Sequence, residues 1–412
     1  MSEASAGLAE SPRADSPPPL RWREAARWGA GLVLALRVGL GLVMGIAWTL
    51  VRPHIPAIWL DSPSLYGQLR MDPSPIAQFW LSVWPRWDAT QHLNLAMRGY
   101  ADMGEGSTVF YPLYAGLTRV AAILTGDFIV AGLLVSSLAA FLAFALLILV
   151  GNEVFGNNSG KWAAVALAVY PTAVLLIAPF SESLFLALTL GAFLAAYRMR
   201  WLAAAALAAL ASLSRAPGVA AGAAFALIAW QQWSSRQERG RSPSIPAVIV
   251  AIVAPLVAGG GFLVWRSLAG FAPITTVLRT YVGTTVVDPV TGVVLAVTQW
   301  VRVFDLPTSL DVLSAAAFLT VTALMIAVKR WRRPELLAYM IVNLVFLLGR
   351  FTEGAASLKS LSRYVLVLFP AFLIVGDWLA SKSRRARFWY VTVSTSLQLI
   401  LSTLYVFWFF IG

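Results

Sequence analysis

The sequence contains no cysteine, only two histidines and few charged residues for its length. Lys, Arg, Asp and Glu make up 12% of the 412 residues, whereas about 25% is usual for a soluble domain. The lack of cysteine excludes a disulfide scaffold and a cysteine-ligated zinc module. The low charge excludes a soluble globular enzyme and a disordered chain. Because 59% of the residues are hydrophobic, we predict an all-α polytopic membrane protein.

The net charge of +12 raises the question of a nucleic-acid partner, since basic patches bind phosphates. The basic residues lie between apolar runs, however, and form no continuous patch in the sequence. Membrane proteins concentrate Lys and Arg in cytoplasmic loops, and this bias alone makes them basic. We therefore predict contact with membrane lipids and no nucleic-acid partner.

The chain divides into a polar N-terminal tail and a long apolar region. Residues 1–28 are rich in Ser, Pro and Ala and predict a disordered cytoplasmic tail, followed by a transmembrane domain over 29–412. A first span at about 29–51 contains Arg37, which we expect to face protein or to snorkel rather than to meet lipid. Residues 52–127 are too polar for continuous spans and predict a folded, helical first outer loop.

Regular apolar runs follow this loop. They lie at about 128–150, 162–179, 184–197, 201–213, 217–230, 247–268, 311–328, 336–349, 364–380 and 389–411. With the first span they predict about 11 transmembrane helices, within a range of 8 to 13. With the N-terminus inside, the short inner loops carry 14 Lys and Arg residues against 6 in the short outer loops. This bias agrees with the positive-inside rule.

Residues 84–100 in the outer loop predict a short helix that begins with a carboxylate. Asp88 occupies the expected N-cap, Gln91 follows as in a capping box, and Gly99 ends the last turn. One interpretation is that Asp88 serves only as this cap. Alternatively, a carboxylate at a helix N-terminus beside Arg86 stays ionised and can act as a general base. The spacing leaves both interpretations open.

Three other turns on the same predicted side carry isolated charges. Glu182 is the only charged residue between Lys161 and Arg198, which makes it either a functional carboxylate or a solvated loop residue. Arg215 lies in a turn between Ala-rich runs, where its planar guanidinium suits a phosphate group or a lipid headgroup.

The third turn and the remaining polar residues give weaker signals. Lys359, Arg363 and Tyr364 precede an apolar run, a place where interfacial anchors are also common. The two histidines, His54 and His92, have no metal-ligand spacing, and the sequence contains neither a P-loop nor a GxGxxG motif. We predict no metal site and no certain cofactor, although spacing leaves open a divalent cation held by carboxylates.

Four segments of the chain resemble, in the same order, the GPI mannosyltransferase II (PIG-V) family and its bacterial relatives. They are RWDATQHLNLAMRGY, VFYPLYAGLTR, YPTAVLLIAPFSESLFLALTL and SLSRAPG. They cover about residues 84–220, and the segment SRYVLVLFP resembles the family more loosely. The resemblance implies a GT-C glycosyltransferase, a helical membrane enzyme that takes sugar from a polyprenyl phosphate on the non-cytoplasmic side.

The resemblance also implies roles for particular residues. By position, Asp88 is the base, Glu182 is the acidic residue of the second outer turn, and Arg215 is a candidate for the donor phosphate. The remaining predicted substrate-binding residues are Arg86, Gln91, Tyr111, Arg363 and Tyr364. Eukaryotic members of the family have His three residues after the Asp, where this chain has Gln91, so His92 receives no catalytic role by analogy.

Our leading hypothesis is an inverting glycosyltransferase, most simply a mannosyltransferase, of a bacterial plasma membrane. Its active site lies on the outer face, its donor is a polyprenyl-phosphate sugar, and its acceptor is a lipid or glycan hydroxyl. The alternative is a lipid or glycolipid transporter or flippase, which predicts charges near the bilayer midplane. A non-catalytic assembly subunit predicts no shared site for Asp88, Glu182 and Arg215.

Overall fold

The protein is almost entirely helical in the computed structural model. The structure describes residues 22–56, 66–67, 69–72, 74–156, 158–235, 242–352, 357–358 and 360–411. The helices are α1 (Trp22–Val51), α2 (Pro75–Trp80), α3 (Asp88–Arg98), α4 (Tyr100–Met103), α5 (Pro112–Thr125), α6 (Phe128–Phe155), α7 (Ser159–Ala168), α8 (Glu182–Tyr197), α9 (Trp201–Ser214), α10 (Ala221–Ser234), α11 (Ile245–Leu268), α12 (Ile274–Val282), α13 (Pro289–Val303), α14 (Leu306–Ala327), α15 (Pro334–Leu348), α16 (Leu361–Tyr364), α17 (Phe369–Ala380) and α18 (Arg384–Val406). Two short strands, β1 (Thr284–Val286) and β2 (Arg350–Thr352), pair antiparallel.

Within the described residues, four helices, α1, α6, α11 and α14, are long and apolar enough to cross a membrane. The segment that contains α16 and α17 passes the same test as a pair bent by 75°. Most residues of α1, α11 and α14 remain outside the protein core, and they include Leu50, Val257 and Leu313. Because such large apolar faces are unfavourable in water, they contact lipid. The prediction of an all-α polytopic membrane protein is confirmed, while the expected total of about 11 spans stays a prediction.

The centre of the fold is formed by α6 and α8. α8 packs against α6 and α9, α9 packs against α11, and α7 packs against both α6 and α17. Glycine permits the closest of these contacts, because a side chain at Gly160 would collide with the backbone of Ile148. A side chain at Gly376 would likewise collide with the backbone of Ala163. Small residues at helix interfaces let helices approach closely in a membrane.

The first helix begins at Trp22 rather than near Gly29. The predicted disordered tail therefore ends too late, since residues 22–28 are helical. Glu24 in the first turn explains the difference, because its carboxylate pairs with Lys161 at 2.7 Å and an acidic side chain stabilises a helix N-terminus. The other residues of the predicted tail, 1–21, lie outside the described residues. The loop over 52–127 contains α2 to α5, which agrees with its predicted helical character.

Arg37 lies midway along α1 and faces protein, as expected. Its Nη2 atom donates to Ser137 Oγ at 2.7 Å and to the Ile177 carbonyl at 2.5 Å. Its guanidinium lies 4.4 Å from the centre of the Trp84 ring. The contact with Ile177 matters for the fold, because non-helical backbone at membrane depth needs partners within the protein.

That non-helical backbone corrects the predicted span at 162–179. The helix ends at Ala168, and Pro171 explains why, since proline cannot continue a helix and restricts the residue before it. Gln398 donates to the Ala168 carbonyl at 2.7 Å and so satisfies one of the carbonyls left open at the helix end. The buried chain then continues without α-helix as far as Glu182, the first residue of α8.

A second feature is absent from the sequence prediction. α12, β1 and α13 occupy residues 274–303, where the sequence has no long apolar run. β1 pairs with β2 so that Val286 lies opposite Arg350. The Val287 amide also donates to the Gly349 carbonyl at 3.0 Å. The two-stranded ribbon of β1 and β2 fixes the backbone that follows α15.

Candidate active site

Asp88 is the first residue of α3 and not its N-cap, so the predicted capping box is wrong by one position. Trp87 occupies the cap with a φ of 53° and without a side-chain cap. Its indole nitrogen donates to the Phe409 carbonyl at 3.2 Å, which holds the start of the helix against the C-terminal segment. The Asp88 carboxylate instead approaches Arg363, with 2.7 Å between Oδ2 and Nη1. Gly99 follows the last turn of α3 as predicted.

Arg363 joins Asp88 to a second carboxylate, that of Glu182. Its Nε atom lies 2.7 Å from Glu182 Oε1, and Nη1 of Arg215 approaches the same oxygen at 2.8 Å. Arg215 also donates to Ser181 Oγ at 3.0 Å. The Glu182 side chain has no exposed surface, so these cations must offset the cost of removing its charge from water. Residues from four distant parts of the sequence therefore meet at one place.

Three guanidinium groups surround the ring of Tyr364. Cζ of Arg215, Arg350 and Arg363 lies 4.9, 4.5 and 4.7 Å from the ring centroid, respectively. Each distance is within the range of a cation–π contact. We define the charged cluster as Asp88, Glu182, Arg215, Arg350, Arg363 and Tyr364. With three cations and two carboxylates, it carries one positive charge in excess.

The backbone on which Arg363 lies is fixed through its neighbour Ser362. The Ser362 amide donates to Asp311 Oδ1 at 3.0 Å, and its hydroxyl donates to the Ile411 carbonyl at 3.1 Å. Thr172 Oγ1 donates to the Ser362 carbonyl at 2.8 Å. α14, the C-terminal segment and the non-helical chain before α8 thus meet at this residue. The guanidinium of Arg363 is held in position by parts of the chain that are far apart in sequence.

Three residues predicted to bind substrate have other surroundings. Arg86 is fully buried, and its Nε atom donates to the Val406 carbonyl at 2.7 Å, which favours a structural role. The Tyr111 ring packs against Phe262 with 4.7 Å between the centroids. Gln91 is exposed on α3. The substrate-binding roles of these residues stay predictions.

His92 lies near the charged cluster in an aromatic environment. Its ring centroid is 4.9 Å from that of Phe110 and 5.0 Å from that of Tyr114. Burial lowers the pKa of His92 to about 4, so the imidazole is neutral at pH 7 and adds no positive charge. Among the described residues, no three or more His, Asp and Glu side chains form a group that could hold a metal ion. Lys359 lies outside the described residues.

Arg350 and Ser181 also belong to the site, although the sequence alone does not predict them as site residues. Arg350 follows the apolar helix α15, just as Arg215 follows α9. The sequence does contain one signal for Arg350. It is a basic residue at the end of an apolar run, on the same predicted side of the membrane as the other candidates. Ser181 adjoins Glu182, and only the contact with Arg215 distinguishes it from other serines.

Comparison with known proteins gives a distant structural match. The chain is similar to ArnT. The solved structure is that of ArnT from Cupriavidus metallidurans bound to undecaprenyl phosphate, with 15% sequence identity and a TM-score of 0.45. The match covers 87% of this chain and 61% of ArnT. No family model matches the chain, and a search of curated proteins finds no match.

Proposed function

We propose that the protein is a GT-C-type membrane glycosyltransferase that uses a polyprenyl-phosphate sugar as its donor. The observation that carries this proposal is the bridge of Arg363 between Asp88 and Glu182, with Arg215 on the same Glu182 oxygen. These residues come from the segments whose sequence resembles the GPI mannosyltransferase II family. Mannose is the proposed sugar, on the strength of that resemblance alone.

The proposed base is Asp88. Its side chain is 34% exposed, whereas the Glu182 side chain is fully buried. Asp88 is therefore the carboxylate of the charged cluster that an acceptor can approach. In the proposed step, its carboxylate takes the proton of the acceptor hydroxyl while the acceptor oxygen forms a bond to the anomeric carbon. Attack in a single displacement inverts the configuration at that carbon.

The second half of the step breaks the bond between the anomeric carbon and the phosphate oxygen. The electron pair leaves with the polyprenyl phosphate, which needs positive charge rather than a proton. The excess positive charge of the charged cluster meets this need, because fixed cations in a site of restricted water stabilise developing negative charge. Glu182 is proposed as a positioning residue, because its contacts are with Arg215 and Arg363.

The location of the charges favours a transferase over the alternative of a transporter. Asp88 begins α3, Glu182 begins α8, Arg215 directly follows α9, and Arg350 lies two residues after the end of α15. A transporter that moves charge or headgroups across the bilayer predicts ionisable residues along the middle of its helices. We propose that the helix ends bearing the charged cluster face the non-cytoplasmic side, since the Lys and Arg content of the loops favours that orientation.

A transfer assay tests this function. Protein reconstituted in proteoliposomes is given polyprenyl-phosphate mannose labelled in the sugar, together with extracted membrane lipids and glycans. We expect label to move to an acceptor with inverted anomeric configuration, releasing one polyprenyl phosphate for each sugar transferred. Polyprenyl-phosphate glucose, assayed in the same way, is the comparison donor for the choice of sugar. Intact labelled donor appearing in the opposite leaflet without any transfer would contradict the proposal and favour a flippase.

A further inference from the structure

We propose that Arg350 binds the phosphate group of the lipid-linked donor, an inference that rests on the proposed function. The observation behind it is an imbalance of charge inside the charged cluster. Arg215 and Arg363 each have a carboxylate partner within 2.8 Å. Within the part of the chain that the structure describes, Arg350 has no carboxylate at ion-pair distance.

The guanidinium of Arg350 interacts with the Tyr364 side chain but keeps open donors within the described residues. Its Nε and Nη2 atoms are buried and have no hydrogen-bond partner among the described residues. Burial is the main cause that lowers the pKa of this side chain, and the neighbouring cations Arg215 and Arg363 contribute. Two buried guanidinium donors without an acceptor among the described residues are costly for the fold. An anion at this position would supply both the missing charge and the missing hydrogen bonds.

The position of Arg350 is fixed before any ligand arrives. Its backbone lies in the ribbon opposite Val286, and its guanidinium lies 5.4 Å from the Phe346 ring and 4.5 Å from the Tyr364 ring. The two aromatic rings hold the planar guanidinium, whose paired N–H groups suit the oxygens of a phosphate. Little side-chain freedom remains to be lost when a ligand binds.

The location relative to the base fits the proposed displacement. Arg350 and Arg363 both contact the Tyr364 ring, with Cζ at 4.5 and 4.7 Å from its centroid. Arg363 in turn contacts Asp88. A phosphate on Arg350 would therefore lie close to the same ring as Arg363, the residue that contacts the proposed base. Arg363 then serves as the bridge between carboxylates, and Arg350 as the contact to the leaving group.

Binding of a long-chain polyprenyl phosphate to protein in nanodiscs tests the inference without requiring any turnover. We expect R350M to weaken this binding by about 10- to 100-fold, the range for loss of a hydrogen bond to a charged group. R350K should recover only part of the affinity, because lysine keeps the positive charge but lacks the paired N–H donors of the guanidinium. R279M, which removes an exposed Arg of α12, is the matched control and should bind as the wild type does.

Two further ligands, polyprenol and phosphatidylglycerol, show whether Arg350 recognises the phosphate of the polyprenyl lipid or any lipid phosphate. Thermal unfolding shows whether a loss of binding comes from a loss of folding. The corresponding polyprenol, which has the same tail and no phosphate, should bind R350M and wild type equally. Equal loss of polyprenyl phosphate and phosphatidylglycerol binding would indicate a general headgroup site and overturn the inference. Unchanged polyprenyl phosphate binding in R350M would overturn it as well. Because Arg350 has no carboxylate at ion-pair distance among the described residues, R350M should not lower the unfolding temperature, whereas a lowered temperature with unchanged binding would indicate a structural role.

The binding result and the transfer assay can fail independently. Loss of polyprenyl phosphate binding in R350M, together with no transfer from any donor, would retain the phosphate site and reject the glycosyltransferase. Transfer by the wild type, together with normal polyprenyl phosphate binding by R350M, would retain the function and reject the role of Arg350.

Discussion

Replacing Arg363 with methionine is expected to abolish sugar transfer and to lower the free energy of unfolding by about 3–5 kcal/mol, the usual cost of removing one partner of a buried ion pair. Arg363 contacts both carboxylates of the charged cluster, at 2.7 Å in each case. Its loss leaves Glu182, which has no exposed surface, with Arg215 as its one remaining cation among the described residues. Thermal or denaturant unfolding in detergent, measured beside the transfer rate, checks both effects.

Two further variants show why R363M loses stability. The double variant R363M/E182Q should be more stable than R363M, because it removes the uncompensated buried charge together with its partner. R363K should retain part of the stability, because it keeps the charge but cannot contact both carboxylates through separate nitrogens. If R363M unfolds at the wild-type temperature, the bridge between Asp88 and Glu182 contributes nothing to the fold and the account of the charged cluster is wrong.

Replacing Asp88 with asparagine is expected to lower the turnover number by about 10²- to 10⁴-fold, the contribution typical of a general base. Asparagine has nearly the same shape as aspartate but cannot take the acceptor proton. Binding of polyprenyl phosphate should persist, since that binding is assigned to Arg350. The transfer rate and the binding constant of the same preparation give the two measurements.

The matched control for this variant is D102N. Asp102 lies in the first turn of α4, in the same loop as Asp88, and is exposed. Its replacement should leave turnover within about two-fold of the wild type, since an exposed carboxylate away from the charged cluster has no role in the step. Near wild-type turnover in D88N would remove Asp88 as the base.

The sequence predicts the members of the charged cluster better than it predicts their contacts. Glu182 and Arg215 are conspicuous because isolated charges between apolar runs are rare in membrane proteins. The bridge itself joins Asp88 and Arg363, which are 275 positions apart in the chain. No spacing rule reaches that distance, so only the structure shows that Arg363 pairs with both carboxylates. The structure is also needed to see that Arg350 has no carboxylate at ion-pair distance in the described part of the chain.

The errors in the predicted fold have local physical causes. Apolar composition predicts continuous helix over 162–179, yet Pro171 ends α7 at Ala168 and side chains such as Gln398 satisfy the open backbone. The N-cap of α3 falls one residue earlier than Asp88 because the Trp87 indole bonds to the C-terminal segment. In both places, contacts distant in sequence overrode a local pattern.

We propose that the charged cluster faces the non-cytoplasmic side of the membrane. Because the chain contains no cysteine, single cysteines can report the side directly. Gln91 is exposed on α3 one turn after Asp88, and Ser381 is exposed at the far end of α17 from Arg363.

We expect a membrane-impermeant maleimide added to intact cells to label Q91C and to label S381C only after the cells are permeabilised. Labelling of S381C in intact cells, with Q91C protected until permeabilisation, would place the charged cluster on the cytoplasmic side and contradict the account.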